Sequence, residues 1–190
     1  MLLTLPTRLT AFTHTADEAG RVLMVRHERL GAVTWELPGS HVEPNETVRA
    51  AAARETFEET SVAVEVGALV AEGVHRCWGR TVGMLFFTAT ATADYPLGTD
   101  EPVIRAVEWV DPSSLNPAEV SPLGYPVIRH LGAGSGSPLR FTATHRETPS
   151  GWRPLVTSEW TTACECQIGA SAGRSSSGAR PSRRGGGSST

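Results

Sequence analysis

Three carboxylates, Glu55, Glu58 and Glu59, stand at positions i, i+3 and i+4 in the run Arg54-Glu55-Thr56-Phe57-Glu58-Glu59. If that run is helical, a rotation of about 100° per residue puts all three on one face. Like charges so spaced repel, by about a few tenths of a kcal/mol per pair in water, and by more where the face is sheltered from solvent. Two readings stay open on the helix alone. One is a solvated acidic face. The other is a seat for a hard divalent cation, because carboxylate oxygens are what Mg²⁺ takes and its charge removes the repulsion. Val48, Ala51 and Ala52 lie one and two turns earlier on the same face, while Ala50, Ala53 and Phe57 occupy the other side. That pattern predicts a helix packed on two sides, with its carboxylates turned inward, and favours the cation.

The surrounding elements must place that helix. Asn45 reads as its N-cap, and the Ala- and Glu-rich stretch 46–60 as its body. It should end near Thr60, with Ser61 just beyond in the left-handed conformation common past helix ends. Before it, Trp35–Pro38 reads as extended, since Pro38 keeps Leu37 out of the helical region, and residues 39–44 as a loop. Two apolar β-type runs, 8–15 and 21–28, flank the turn-like Ala16-Asp17-Glu18-Ala19-Gly20 and read as an opening hairpin. Further strands are predicted over 62–69, 81–92 and 105–110, with a loop from Asp94 to Pro102 and a short helix over 126–131 that has Pro126 in its first turn.

The chain has 190 residues, a net charge of −3 and 39% hydrophobic residues, enough for one core with something appended. Residues 169–190 carry Arg174, Arg180, Arg183 and Arg184 and no acid, so the preceding body carries −7. An acidic body argues against a nucleic-acid groove and predicts no stable nucleic-acid partner. Three cysteines cannot all pair within the chain, which points to a reducing, cytoplasmic setting. No apolar stretch is long enough for a membrane span. Past Leu131 comes Gly132-Ala133-Gly134-Ser135-Gly136-Ser137, a linker by composition. We therefore expect one domain over residues 1–131 and a flexible, low-complexity extension over 132–190.

Taken whole, Leu37-Pro38-Gly39-Ser40-His41-Val42-Glu43-Pro44-Asn45-Glu46, seven further residues, then Arg54-Glu55-Thr56-Phe57-Glu58-Glu59-Thr60-Ser61-Val62 resembles the Nudix box, G-x5-E-x7-R-E-U-x-E-E-x-G-U, with U a bulky aliphatic residue. Glu46, Arg54, Glu55, Glu58 and Glu59 match every charged position. Ser40, Thr56 and Ser61 depart from the first Gly, the first U and the last Gly. The resemblance extends over about 8–131, including Trp35-Glu36-Leu37-Pro38-Gly39 and Glu108-Trp109-Val110. It implies an α/β fold, an α/β/α sandwich with a mixed sheet, and a hydrolase cleaving a nucleoside diphosphate linked to another group. It also implies Glu58 and Glu59 as ligands of Mg²⁺ or Mn²⁺, Glu55 as a further ligand or general base, Arg54 as the residue orienting the carboxylates, and Glu46 as mainly structural. Pyrophosphate hydrolysis needs phosphoryl oxygens neutralised and a water activated, which clustered carboxylates with Mg²⁺ supply.

Substrate contacts are expected from Arg26 at the end of an early strand, from Gly39 where backbone can approach closely, and from Glu101 in the loop that also holds Asp100. Glu43 is a candidate outer contact, and His41 is read as exposed. Trp35 and Trp109 are read as core. Cys164-x-Cys166 lacks two further ligands at zinc spacing, and the terminal arginines read as a solvating tail. Two rival readings stand beside the hydrolase. A nucleotide-binding sensor that has lost turnover would keep the box without the activity. An interaction domain with an acidic helix would have no metal affinity.

Overall fold

The computed structural model describes residues 8–29, 31–93, 97–134, 136–148 and 151–161. Among the described residues, nine strands and two α-helices are arranged around two sheets. The strands are β1 (Arg8–Thr15), β2 (Val22–Arg29), β3 (Ala32–Glu36), β4 (Gly39–His41), β5 (Val64–Cys77), β6 (Arg80–Ala91), β7 (Ile104–Val110), β8 (Leu139–Thr148) and β9 (Gly151–Thr161). The helices are α1 (Val48–Thr60) and α2 (Tyr125–Gly132), with two short 3-10 turns at Pro112–Ser114 and Pro117–Glu119.

The larger sheet runs β4-β1-β6-β5-β8-β9 and the smaller β3-β2-β7. The larger one is mixed: β1 with β6 and β5 with β8 are parallel, and the remaining pairs are antiparallel. Alternation along β1 and β6 divides its two faces. Phe12 and Phe86 stack at 4.8 Å on one face. There they join Met84, Phe141, Val22 and Met24, with Val127 and Ile128 of α2. Ala11 and Phe87 face the other way, against Ala51 and Ala52 of α1. The two helices thus cover opposite faces, which is the α/β sandwich with a mixed sheet. No helix among the described residues is long and apolar enough to cross a membrane.

Three expectations need correction. The runs at the start do not form a hairpin. β1 pairs with β4 and β6 while β2 pairs with β3 and β7, and only the single bridge Ala16–Val22 joins the two ends. The intervening turn is held locally by Asp17, whose carboxylate accepts the N–H groups of Ala19 and Arg21, and this tight turn carries the chain from one sheet to the other. Second, the helix cap is Thr47, whose side chain accepts the N–H of Ala50, whereas Asn45 sits at φ 71 in the preceding turn. Third, the chain does not leave the core at residue 131. β8 adds in parallel to β5, with Leu139 and Phe141 buried in one cluster with Ala71, Met84 and Phe86, and Ala143 buried beyond them. Three apolar residues at period two outweigh the Gly/Ser linker that precedes them. The rest of the expected extension, from residue 162 onward, including Cys164, Cys166 and the terminal arginines, lies outside the described residues.

Candidate active site

The site begins with the chain leaving β3. Leu37 is buried, Pro38 accepts the N–H of Thr13 at 3.0 Å, and Gly39 opens β4 opposite Phe12 of β1. Gly39 has φ 142, and a Cβ there would stand 2.2 Å from the carbonyl oxygen of Ala11. Only glycine fits, and its N–H is left pointing toward α1. That N–H donates to Glu59 Oε2 at 2.9 Å.

Helix α1 is pinned to β1 through polar contacts rather than a fully apolar seam. Thr56, at the aliphatic position of the box, donates to the carbonyl of Ala52 at 2.7 Å and accepts from Thr13 Oγ1 at 2.8 Å. Thr60 donates to the Thr56 carbonyl. The buried hydroxyls are satisfied within the helix and its neighbour, so Thr56 carries no unpaired polar cost. The helix is packed on one side only. Phe57 is 51% exposed and Ala50 is exposed too, correcting the expectation of a second packed side. Ser40 lies in β4 and is absent from the non-glycine residues of positive φ, which among the described residues are Asn45, Ser61 and Trp78.

Arg54 organises the acidic face. Its Nε and Nη2 bond Glu46 at 3.2 and 2.8 Å, and Nη2 also meets the carbonyl of His41 at 3.2 Å. Its Nη1 donates to Glu55 Oε1 at 2.9 Å and to Glu58 Oε2 at 2.8 Å. One planar guanidinium therefore spaces three carboxylates, a task that its fixed fork of donors suits. The hydrogen bonds to Glu46 foremost, then those to Glu55 and Glu58, raise the Arg54 pKa above its ordinary value. The Arg54 contact in turn holds the Glu46 carboxyl below the usual carboxylate range.

Glu55 and Glu59 behave differently. Burial raises the Glu55 carboxyl, with Arg54 opposing and Glu58 and Glu46 adding to the rise. Glu59, only 6% exposed, is pushed up to about 8, by burial first. The Gly39 hydrogen bond and the Arg29 charge pull it down without offsetting that cost. No salt bridge among the described residues neutralises Glu59. A buried carboxylate flanked by two others, with hard oxygen donors throughout, fits a divalent cation by the chemistry of its donor set. Among the described residues no three His, Cys, Asp or Glu side chains already converge on one point. Arg54 holds Glu55 and Glu58 while Gly39 holds Glu59.

Of the expected substrate contacts, Gly39 sits beside Glu59, as above. Arg26 is exposed, with its guanidinium carbon 5.7 Å from the centre of the Trp35 ring. Glu101 is exposed, in a loop whose backbone meets the end of α1. The β2 cation that acts on the site is Arg29, which bonds Glu36 Oε2 at 3.1 Å and whose charge reaches both Glu59 and His41. His27 is buried, with Nδ1 3.7 Å from the same Glu36 oxygen. Burial works to raise Glu36, but His27 and Arg29 hold it low. Sequence reading missed this cluster, although the period of two along Val25-Arg26-His27-Glu28-Arg29 separates Arg26 from His27 and Arg29.

Comparison with known proteins agrees with this geometry. The NUDIX domain family model matches residues 6–131. A "MutT-like protein" of Streptomyces ambofaciens is 35% identical over 99 residues, 52% of this chain and 60% of that protein, so the chain spans less than two thirds of that relative's length. An "RNA pyrophosphohydrolase" of Dinoroseobacter shibae is 32% identical over 117 residues, 52% of this chain and 73% of that protein. Among solved structures, a MutT protein from Bacillus halodurans superposes with a TM-score of 0.61 at 20% identity, covering 82% of this chain and 97% of that one. A NUDIX hydrolase from Nitrosomonas europaea gives 0.60 at 22% identity, covering 68% and 90%. With the box residues on β4, the loop that follows it and α1, and a family model that matches residues 6–131, the chain belongs to the Nudix family.

Proposed function

We propose that the protein is a Mg²⁺- or Mn²⁺-dependent hydrolase that cleaves the diphosphate linkage of a nucleoside diphosphate derivative by attack of water on phosphorus. The observation that carries this reading is the buried Glu59 carboxylate on the Gly39 N–H, beside the Arg54-spaced pair Glu55 and Glu58. Glu55, Glu58 and Glu59 would hold the cation. When bound, it neutralises phosphoryl oxygens and acidifies a water.

The protein's own groups do the rest. Arg54 keeps the carboxylates apart and aimed, and Gly39 lets backbone approach the site. Glu55, its carboxyl raised by burial, or Glu101 takes the proton of the attacking water. The relative named as an RNA pyrophosphohydrolase supports a pyrophosphate bond as the target. The three departures from the box support an active site rather than a nucleotide sensor: Thr56 is hydrogen-bonded, Ser40 is unstrained and Ser61 closes the helix. A cytoplasmic setting belongs to the same reading and rests on the odd count of three cysteines, which cannot all pair within the chain.

The test is a panel of nucleoside triphosphates, an oxidised nucleoside triphosphate, ADP-ribose and a 5′-triphosphorylated RNA, with Mg²⁺ present and then chelated. Release of phosphate, pyrophosphate or nucleoside monophosphate from at least one, lost on chelation, is the expected result. Nucleotide binding without turnover on any of them would select the sensor instead.

A further inference from the structure

We infer that Thr99 and Ser61 are positioning residues that fasten the 97–101 loop to the last turn of α1 and so fix Glu101 relative to Glu58. The inference rests on the hydrolase reading above.

The last carbonyls of a helix have no partner within it. In α1 the 97–101 loop supplies partners for two of them, the carbonyls of Glu58 and Thr60. The Thr99 hydroxyl donates to the carbonyl of Glu58 at 3.1 Å and accepts the N–H of Glu101 at 3.0 Å. A single hydroxyl therefore joins the main chain of a proposed metal ligand to that of the loop acid. Beside it, Gly98 N–H donates to the carbonyl of Thr60 at 3.2 Å, and Ser61 Oγ donates to the carbonyl of Gly98 at 3.2 Å. The carbonyl of Glu101 accepts the N–H of Ile104 at 3.1 Å, so the residue is fixed on both its flanks before the chain enters β7.

Ser61 makes the arrangement particular to this chain. It occupies φ 61, a conformation glycine adopts without strain, and its own N–H closes the helix on the carbonyl of Phe57. Glycine would cap the helix equally well. The hydroxyl adds a bond to the loop, at a position where the left-handed backbone carries it to Gly98. Glu101 itself is exposed, so its carboxylate is available to substrate while its backbone is held.

The experiment compares the full chain with Thr99→Val, which removes the hydroxyl at constant shape, and Thr99→Ser, which restores it. Each is assayed with Mg²⁺ on the substrate panel above, titrated with Mn²⁺ alone, melted, and followed by hydrogen exchange at the Glu101 amide. Thr99→Val should lower kcat about tenfold or more, the scale of a misplaced reacting group, with KM and Mn²⁺ affinity close to wild type, a Tm lowered by about a few degrees at most, and faster exchange at Glu101. Thr99→Ser should recover kcat and slow exchange together. Wild-type kcat in Thr99→Val, or a loss that Thr99→Ser leaves unrescued, overturns the inference while the hydrolase reading stands. A wild-type protein that neither binds Mn²⁺ nor hydrolyses any of the panel overturns both.

Discussion

The carboxylate of Glu59 accepts the main-chain N–H of Gly39 at 2.9 Å, across twenty residues of chain. That bond links the exit of β3 to the last turn of α1. It exists because Gly39 can take a backbone conformation that brings it within van der Waals reach of β1. Loop and helix are therefore one unit, and changes at either end are felt at the other.

Replacing Gly39 by Ala should be among the most damaging single changes. The new Cβ would meet the carbonyl oxygen of Ala11 at 2.2 Å and the Cα of Phe12 at 2.6 Å, both backbone atoms that cannot swing aside. Strain and overpacking together should cost about 2–4 kcal/mol. The shift in urea midpoint at constant m-value measures it.

Arg54→Lys keeps a positive charge but loses the fork that reaches Glu46 and the Glu55–Glu58 pair at once. Stability should fall by about 1 kcal/mol, since Arg54 is only partly buried. Turnover should fall far more than stability, because carboxylates released from one guanidinium no longer keep their spacing. Parallel kinetics and thermal melts separate the two effects.

The apo protein should lose stability as pH rises from the ordinary carboxylate range toward about 8, the value to which Glu59 is raised. The sign follows from proton counting. Across that window the folded state holds a proton on Glu59 that the unfolded chain has released, so raising pH favours unfolding. Glu59→Gln should flatten this part of the profile. Above pH 7, adding Mg²⁺ should raise the Tm of wild type by linkage and leave that of Glu59→Gln nearly unchanged.

Much of the site was legible because its residues are close in sequence. Residues 39–41, read as part of a loop, form β4 because β1 lies beside them, whereas the i, i+3, i+4 carboxylates are a local pattern and lie on α1 as spacing places them. The left-handed Ser61 was legible for the same reason. What spacing does not carry is pairing. β1 and β2 are adjacent in sequence and belong to different sheets. The Thr13–Thr56 contact, the Arg29–Glu36 bond and the tie from Ser61 to Gly98 all depend on which elements lie side by side: a strand and a helix, two strands, and a helix end and a loop. β8 was missed because the glycines and serines before it dominate composition over a short window, while the alternation of Leu139, Phe141 and Ala143 covers only three inward positions.

Truncation after residue 131 should therefore destabilise the protein. It removes Leu139, Phe141 and Ala143 from the core and uncovers Ala71, Met84 and Phe86. Loss of one buried Phe alone costs about 3–5 kcal/mol. The expected outcome is a sharply lowered Tm or insoluble protein. An unchanged Tm would mean that β8 contributes nothing to the core.

Two substitutions at Ser61 should separate backbone strain from the side-chain bond. Ser61→Ala keeps the left-handed strain and loses the bond to Gly98, and should destabilise by about 1 kcal/mol. Ser61→Gly loses the same bond but relieves strain of roughly 1 kcal/mol, less the entropy that glycine adds to the unfolded chain. It should lie within about 0.5 kcal/mol of wild type and above Ala. Urea midpoints of the three proteins in the apo state give the order directly.

The decisive measurement is turnover by Glu59→Gln on the best substrate of the panel, at saturating Mg²⁺, alongside the apo melting temperature. We expect kcat to fall by about two orders of magnitude or more, while the apo fold is retained or slightly stabilised at neutral pH, because the amide needs no proton uptake on folding. Wild-type turnover in Glu59→Gln would mean that this carboxylate does not hold the cation.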